Sequence, residues 1–105
     1  MLIENIKGGF IMIKIVAKNV IEIEDKETYI RLAKELIEKS REESGCISYS
    51  LFEDMNDESV FTFIEEWKDQ EAIDIHNNSE HFKRIFPLLD NLSTGSFEVN
   101  LYKEV

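Results

Sequence analysis

The chain has 105 residues, which is enough for one domain and too few for two. It is 43% hydrophobic and 32% charged, with four glycines and one proline, a composition that is typical of a folded domain and excludes a disordered or fibrous protein. Its 22 acidic residues outnumber its 12 basic residues, and the net charge of −10 disfavours nucleic acids and anionic membranes as partners.

The first eleven residues differ from the rest of the chain. Alternation of apolar and polar residues starts only after Met12. Lys7, Gly8 and Gly9 also have codons that can spell a ribosome-binding sequence just upstream of a start codon for Met12. We therefore expect residues 1–11 to be a translated leader, with a native N-terminal arm as the alternative, and residues 12–105 to form a single domain.

The domain begins with a predicted strand and a predicted helix. From Ile13 to Ile23, one set of alternate positions is mostly apolar and the other is mixed, which predicts a strand with one well-buried face. Asp25 is a suitable N-cap for a helix from Lys26 to Glu43, whose apolar residues recur at helical spacing. Gly45 is expected to end this helix in the left-handed conformation, which a side chain disfavours.

The remaining elements are three strands and two helices. The pattern predicts strands from Cys46 to Glu53 and from Val60 to Trp67, helices from Gln70 to Asn77 and from Glu80 to about Leu92, and a last strand with alternating Phe97, Val99 and Leu101. Asp69 and Ser79 directly precede the two helices and are expected to cap them. Pro87 cannot donate a backbone hydrogen bond, so we expect a kink or a new helix start there.

The order β-α-β-β-α-β predicts an α+β fold of the ferredoxin-like type. In this fold a four-stranded antiparallel sheet carries the helices on one face. The other sheet face combines charged residues with apolar ones, among them Val16, Val20, Phe52, Val60 and Ile64. Because that face is too apolar to be left in water, we expect a homodimer in which two sheets pack face to face.

Common cofactor and metal motifs are absent from the sequence. It contains no GxGxxG, P-loop, HExxH, GxSxG or CxxC motif. His76 and His81 are five residues apart, whereas ligands on one helix face are three or four apart, so only a helix break would bring them together. We expect no metal and no cofactor. The single Cys46, expected to be a structural thiol, and the lack of an apolar run of ~20 residues favour a cytoplasmic protein.

Three polar residues interrupt faces that are otherwise apolar. Asn19 lies on the buried side of the first strand, and Glu65 shares its side of the third strand with aromatic residues. His76 follows on the next helix. We expect these groups to line a largely apolar cavity between sheet and helices, which is what a small organic ligand requires. The alternative is that Asn19 and Glu65 bond loops and helix ends and that His76 is half exposed.

One continuous run resembles a known family. Residues 61–82 read F-T-F-I-E-E-W-K-D-Q-E-A-I-D-I-H-N-N-S-E-H-F, which is similar to the E-x-W-x-[DS]-x-x-A-x-x-x-H-x-x-[ST]-x-H-[FM] run of the antibiotic biosynthesis monooxygenase family. The upstream segment E-E-S-G-C-I-S-Y-S-L, from Glu42 to Leu51, resembles the strand entry of the same family. The resemblance extends from about Met12 to Lys103.

The resemblance implies a dimeric α+β barrel and an oxygenase that needs no metal, flavin or haem. An easily ionised quinol or phenol is then deprotonated, held in a dry pocket and oxidised by O₂. His76 is expected to act as the base, Trp67 to stack on the substrate and donate its indole N–H, and Asn19 to bond the developing anion. The remaining substrate contacts are expected from Phe63, Glu65, Tyr49 and Phe82.

Relatives of this type suggest other activities. The haem-degrading relatives bind iron through a histidine at the position where this chain has Phe86, so we reject haem degradation. An isomerase of a phosphorylated signalling sugar shares much of the pattern, including a T-G pair like Thr94-Gly95, and Lys83 and Arg84 would be its candidate phosphate ligands. A third possibility is a dimer that binds a small ligand without catalysis.

Overall fold

A computed structural model describes residues 12–105 of the chain, so the expectation for residues 1–11 lies outside the described residues. The elements are β1 (Ile13–Val20), a short 3-10 helix (Ile23–Asp25), α1 (Lys26–Arg41), β2 (Cys46–Glu53), β3 (Val60–Trp67), α2 (Gln70–Asn77), α3 (Glu80–Leu92) and β4 (Glu98–Lys103). None of the helices in this part of the chain is long and apolar enough to cross a membrane.

The four strands form one antiparallel sheet in the order β2-β3-β1-β4. The two central strands, β1 and β3, pair along their full length, with Ala17 opposite Phe63. On the outer side of β3, Tyr49 of β2 lies opposite Glu65. The predicted α+β ferredoxin-like fold is therefore confirmed, and two residues expected at the site are cross-strand neighbours.

The helices cover one face of the sheet and enclose the core. Alternate residues of β3 are buried, ending in Trp67, which is completely buried. Helix α1 contributes Tyr29 and Leu36 to this core, and α3 contributes Ile85 and Leu89. Each large apolar side chain buried here stabilises the fold by about 1.5–3 kcal/mol. On the uncovered face, side chains such as Val20 and Phe52 remain exposed.

The helix starts follow the predicted capping rule in two cases out of three. Asp69 and Ser79 have extended backbones, and their side chains accept the amide hydrogens of Ala72 and Phe82. Asp25 makes no side-chain cap because the preceding 3-10 helix already places its backbone in the helical region. This turn also ends the strand at Val20, three residues earlier than expected.

Helix α3 continues through Pro87, so the expected new helix start is not found there. Pro87 is exposed, on the side of the helix that faces water. The carbonyl that loses its helical donor can be hydrated on that side, which lowers the cost of proline within the helix.

The role expected for Gly45 is wrong. Residues 12–105 contain no glycine with a positive φ, so Gly45 does not end α1 in the left-handed conformation. The helix ends at Arg41, and Gly45 lies directly against α2. A Cβ built on Gly45 overlaps the Cβ of Ala72. The glycine is needed here for close approach of the two segments, not for backbone conformation.

Gly45→Ala is expected to lower the free energy of unfolding by about 1–3 kcal/mol, the usual cost of overpacking. The added methyl group must displace the Ala72 region of α2, which carries His76. Gly95→Ala is the matched control, because a Cβ on Gly95 has no neighbour within 4 Å. Urea unfolding measures both. Equal stability of Gly45→Ala and wild type would contradict the close-approach role.

Candidate functional site

A cavity of about 240 Å³ lies between the helix-covered face of the sheet and helices α2 and α3. Its walls are mainly aliphatic and aromatic, with a few polar groups at one side. The lining side chains are Ile15, Ala17, Leu36, Tyr49, Phe63, Glu65, Gln70, Ile73, His76, Asn77, Phe82, Phe86, Phe97, Val99 and Leu101. A mostly apolar cavity with a few convergent polar groups is the usual form of a small-molecule site.

The structure brings five of the seven expected site residues to this cavity. They are His76 from α2 and the four expected substrate contacts, Phe63, Glu65, Tyr49 and Phe82. Glu65 and His76 are almost completely buried. The alternative interpretation placed His76 half exposed at the surface. That part of the alternative is wrong. Among the described residues that line the cavity there is no lysine or arginine.

Trp67 does not line the cavity. It is completely buried, and its indole Nε1–H donates to Oε1 of Glu65 at 2.9 Å. Its ring centroid also lies 4.5 Å from that of His76. The expectation that Trp67 stacks on a substrate does not fit this position. Trp67 instead positions two polar groups of the cavity wall, Glu65 by a hydrogen bond and His76 by ring contact.

Asn19 lies outside the cavity lining as well. Its Oδ1 accepts the hydroxyl hydrogen of Tyr29 at 2.6 Å, and its Nδ2 donates to Oγ of Ser93 at 2.6 Å. These bonds join β1 to α1 and to the end of α3. The expectation that Asn19 contacts a substrate anion does not fit these bonds. They match the alternative interpretation, in which Asn19 bonds loops and helix ends.

The carboxyl group of Glu65 titrates near neutrality. Burial raises its pKa from 4.5 to about 7, because the charged form loses its hydration. The hydrogen bond from Trp67 and the phenol of Tyr49 lower the pKa, and the charge of Glu43 raises it further. Burial also raises the pKa of Tyr49 well above its ordinary value. The cavity thus holds a carboxyl group that can be neutral and a phenol that stays protonated.

Glu43 holds both histidines of the protein. Its Oε2 lies 2.7 Å from Nδ1 of His76 and 2.8 Å from Nε2 of His81. The helix break that five-residue spacing requires for the histidines to meet is present, because α2 ends at Asn77 and α3 begins at Glu80. The chain turns between the two helices, and the imidazole centroids lie 5.9 Å apart.

Apolar periodicity gives no signal for Glu43, since the residue follows the end of α1 and interrupts no apolar face. The one signal for it was the family-like segment before Gly45, which includes this glutamate. His81 belonged to the downstream run, but nothing in its spacing indicated a partner 38 residues away.

The bond to Glu43 fixes the orientation of His76. A carboxylate oxygen accepts, so Nδ1 of His76 carries the hydrogen and Nε2 keeps its lone pair. Nε2 is buried and has no hydrogen-bond partner. Burial lowers the pKa of His76, while Glu43 raises it. The result is an imidazole in the cavity wall with a free basic nitrogen.

Cys46 does not have the surroundings of a nucleophile. The thiol is free, and burial raises its pKa to about 11, with the charges of Glu43 and Glu65 acting in the same direction. The thiolate is therefore disfavoured near neutral pH, as expected for a structural cysteine.

Comparison with known proteins gives concordant matches. Residues 12–88 match the model of the family described as antibiotic biosynthesis monooxygenase. A protein of Synechocystis, sll1783, is 33% identical over 102 residues, covering 97% of this chain and 69% of its own length. A Bacillus subtilis protein named "Putative monooxygenase YcnE" is 38% identical over 60 residues, which cover 57% of this chain and 63% of that protein.

Solved structures agree with these sequence matches. A conserved protein from Methanosarcina mazei Go1 superposes with a TM-score of 0.89 at 38% identity, covering 91% of this chain and 95% of that one. A structure described as an antibiotic biosynthesis monooxygenase superposes with a TM-score of 0.85 at 40% identity, covering 89% of this chain and 98% of that one. The chain therefore belongs to the antibiotic biosynthesis monooxygenase family.

Proposed function

We propose that the protein is a cofactor-independent monooxygenase that oxidises a small quinol or related phenol with O₂ in the cavity. The observation that carries the proposal is His76, which lines the cavity with its Nδ1 held by Glu43 and its Nε2 left without a partner. A positioned imidazole of this kind is a general base. Two of the similar proteins are named as monooxygenases, which supports the reaction type.

The reaction needs only the substrate and O₂. Nε2 of His76 takes the proton of a phenolic hydroxyl, and the resulting anion transfers an electron to O₂. Recombination of the two radicals forms a carbon–oxygen bond, and loss of water from the hydroperoxide leaves a hydroxyquinone. The substrate supplies all four electrons that reduce O₂, so one oxygen atom enters the product and the other leaves as water. An apolar cavity keeps bulk water from the anion.

Glu65 serves the same reaction as a hydrogen-bond donor. Its raised pKa allows a neutral carboxyl group near pH 7 in the wall that also holds His76. A neutral carboxyl group can donate to the second oxygen of a quinol, while Nε2 of His76 accepts from the first. The His76 ring is flanked by the rings of Trp67, Phe82 and Tyr49, with centroids 4.5, 4.9 and 5.5 Å from its own, and Nε2 is buried. Substrate contact with Nε2 therefore requires movement of a side chain in the cavity wall.

The test is oxygen uptake by chelator-treated protein with a panel of quinols, corrected for autoxidation. The proposal expects uptake above the uncatalysed rate for at least one quinol. If no quinol is consumed but one binds, the protein binds a small ligand without catalysis, which would contradict the proposal. A phosphorylated sugar is the less favoured substrate, because Arg84 pairs with Glu35 and Glu80 at the surface and does not line the cavity.

The proposed functional unit is a homodimer formed by the uncovered sheet face. Val16 and Ile64 are cross-strand partners on this face, and the more exposed Val20 and Phe52 extend it. A second copy of the face is the occupant that its mixture of apolar and charged residues suits. A cytoplasmic location is part of the same proposal, since the free Cys46 is compatible with a reducing compartment.

Ile64→Lys is expected to weaken the dimer by at least about 100-fold in dissociation constant. The change places an unpaired charge in the interface, which costs about 3–5 kcal/mol. Met55→Lys is the control, because Met55 is 99% exposed in the turn between β2 and β3. Analytical ultracentrifugation compares both variants with wild type. A wild-type protein that stays monomeric at tens of micromolar would contradict the proposed dimer.

A further inference from the structure

We infer that Glu43, His76 and His81 form a binding site for a divalent transition-metal ion such as Zn²⁺. One ligand atom from each residue, a carboxylate oxygen and two imidazole nitrogens, lies within 4.8 Å of the other two. Carboxylate and imidazole groups are typical ligands of Zn²⁺ in sites that have three protein ligands and one open position. The site shares His76 with the proposed oxygenation chemistry, which uses the other nitrogen of that ring.

The fold has already assembled these ligands. The turn between α2 and α3 brings the two imidazoles to the same oxygen of Glu43. Zinc bonds of about 2.0–2.1 Å at tetrahedral angles place neighbouring ligand atoms roughly 3.3 Å apart. The separations of 2.7 and 2.8 Å between the Glu43 oxygen and the two nitrogens therefore need to widen by about half an ångström, and the two nitrogens lie within 4.8 Å of each other. Glu43 lies beyond the end of α1, and His81 lies in the first turn of α3, so both are at element ends.

The polar atoms at this cluster are incompletely satisfied. Oε1 of Glu43 is buried and has no hydrogen-bond partner, so it is available as a second carboxylate ligand. Within residues 12–105, the ion pairs of Glu43 include the two histidines and no lysine or arginine. A cation would neutralise this carboxylate. The side chains of Glu43 and His81 are 13% and 15% exposed, which gives an ion a path from solvent.

Metal binding would change the basic nitrogen of His76. A metal ion on Nδ1 replaces the hydrogen there, and the neutral imidazole then carries its hydrogen on Nε2. Nε2 becomes a donor and can no longer accept a proton. This consequence, which rests on the proposed function, predicts that Zn²⁺ inhibits oxygenation.

The experiment titrates chelator-treated wild-type protein with Co²⁺, followed by visible absorption, and with Zn²⁺, followed by calorimetry. We expect one ion per chain. Glu43→Gln and His81→Gln should each weaken binding by more than about 100-fold, beyond the 10–100-fold that loss of an outer partner costs. Glu71→Gln, an exposed carboxylate change on α2, is the control and should bind as wild type does.

Nitrogen NMR of the imidazole rings identifies the ligand atoms, because His76 and His81 are the only histidines in the chain. Zn²⁺ should shift the resonances of Nδ1 of His76 and Nε2 of His81. Absence of binding by wild type, unshifted rings, or full binding by both Gln variants would overturn the site. Binding without loss of oxygen uptake would leave the site intact and contradict the role of His76 as base.

Discussion

His76→Ala is expected to lower the rate of quinol oxygenation by about 10²–10⁴-fold, which is the usual contribution of a positioned general base. The imidazole lines the cavity with its Nδ1 bonded to Glu43, so the alanine variant loses the group that accepts the phenolic proton. The measurement is oxygen uptake with the best quinol of the panel. Equal rates for wild type and His76→Ala would contradict the assignment.

Two further variants show whether the loss is specific. Lys83→Ala is the control, since Lys83 is exposed on α3 and does not line the cavity, and its rate should match that of wild type. Trp67→Phe keeps most of the ring packing but removes the donor to Glu65. We expect it to lose less activity than His76→Ala. A larger loss for Trp67→Phe would move the main catalytic role from His76 to the Trp67–Glu65 pair.

Glu65→Gln is expected to change the pH dependence of stability strongly. Burial raises the folded-state pKa of Glu65 from 4.5 to about 7. Below about pH 4.5, the group is protonated in both folded and unfolded chains and has no effect on stability. Between pH 4.5 and about 7, the unfolded chain releases the proton more easily than the folded chain. The free energy of unfolding therefore falls by about 3 kcal/mol over this range, the free-energy equivalent of this pKa shift.

Glutamine mimics the protonated carboxyl group and keeps an oxygen for the Trp67 hydrogen. The difference in unfolding free energy between Glu65→Gln and wild type should therefore grow in favour of the variant from pH 4.5 to pH 8. The comparison at each pH cancels the opposite trend from His76, whose pKa is lowered by burial. Urea unfolding across this range measures the difference. A constant difference would contradict the raised pKa.

Sequence patterns specified the fold well because the apolar positions followed the strand and helix periods. The strands Cys46–Glu53 and Val60–Trp67 and the helix Gln70–Asn77 have the expected bounds. The N-caps Asp69 and Ser79 also agree. The local sequence pattern did not predict features that depend on contacts between segments distant in the sequence. Gly45 is a point of contact with Ala72, which periodicity does not reveal.

The site could be predicted only in part from the sequence. Glu65 and His76 interrupt apolar faces, and that signal correctly placed them at the cavity. The same signal applied to Asn19, whose amide instead bonds Tyr29 and Ser93, because burial of a polar group does not specify its partner. Glu43 reaches the histidines from 33 and 38 residues away, through a contact that only the folded chain creates.

Isotopically labelled O₂ tests the central claim most directly. Metal-stripped wild-type protein is incubated with a quinol and labelled O₂, and the product is analysed by mass spectrometry. The account predicts one labelled oxygen atom in each hydroxyquinone, the second in water, and consumption of one O₂ per product without added reductant. A quinone product without label, or activity that returns only when a metal ion or flavin is added, would contradict cofactor-independent oxygenation by this cavity.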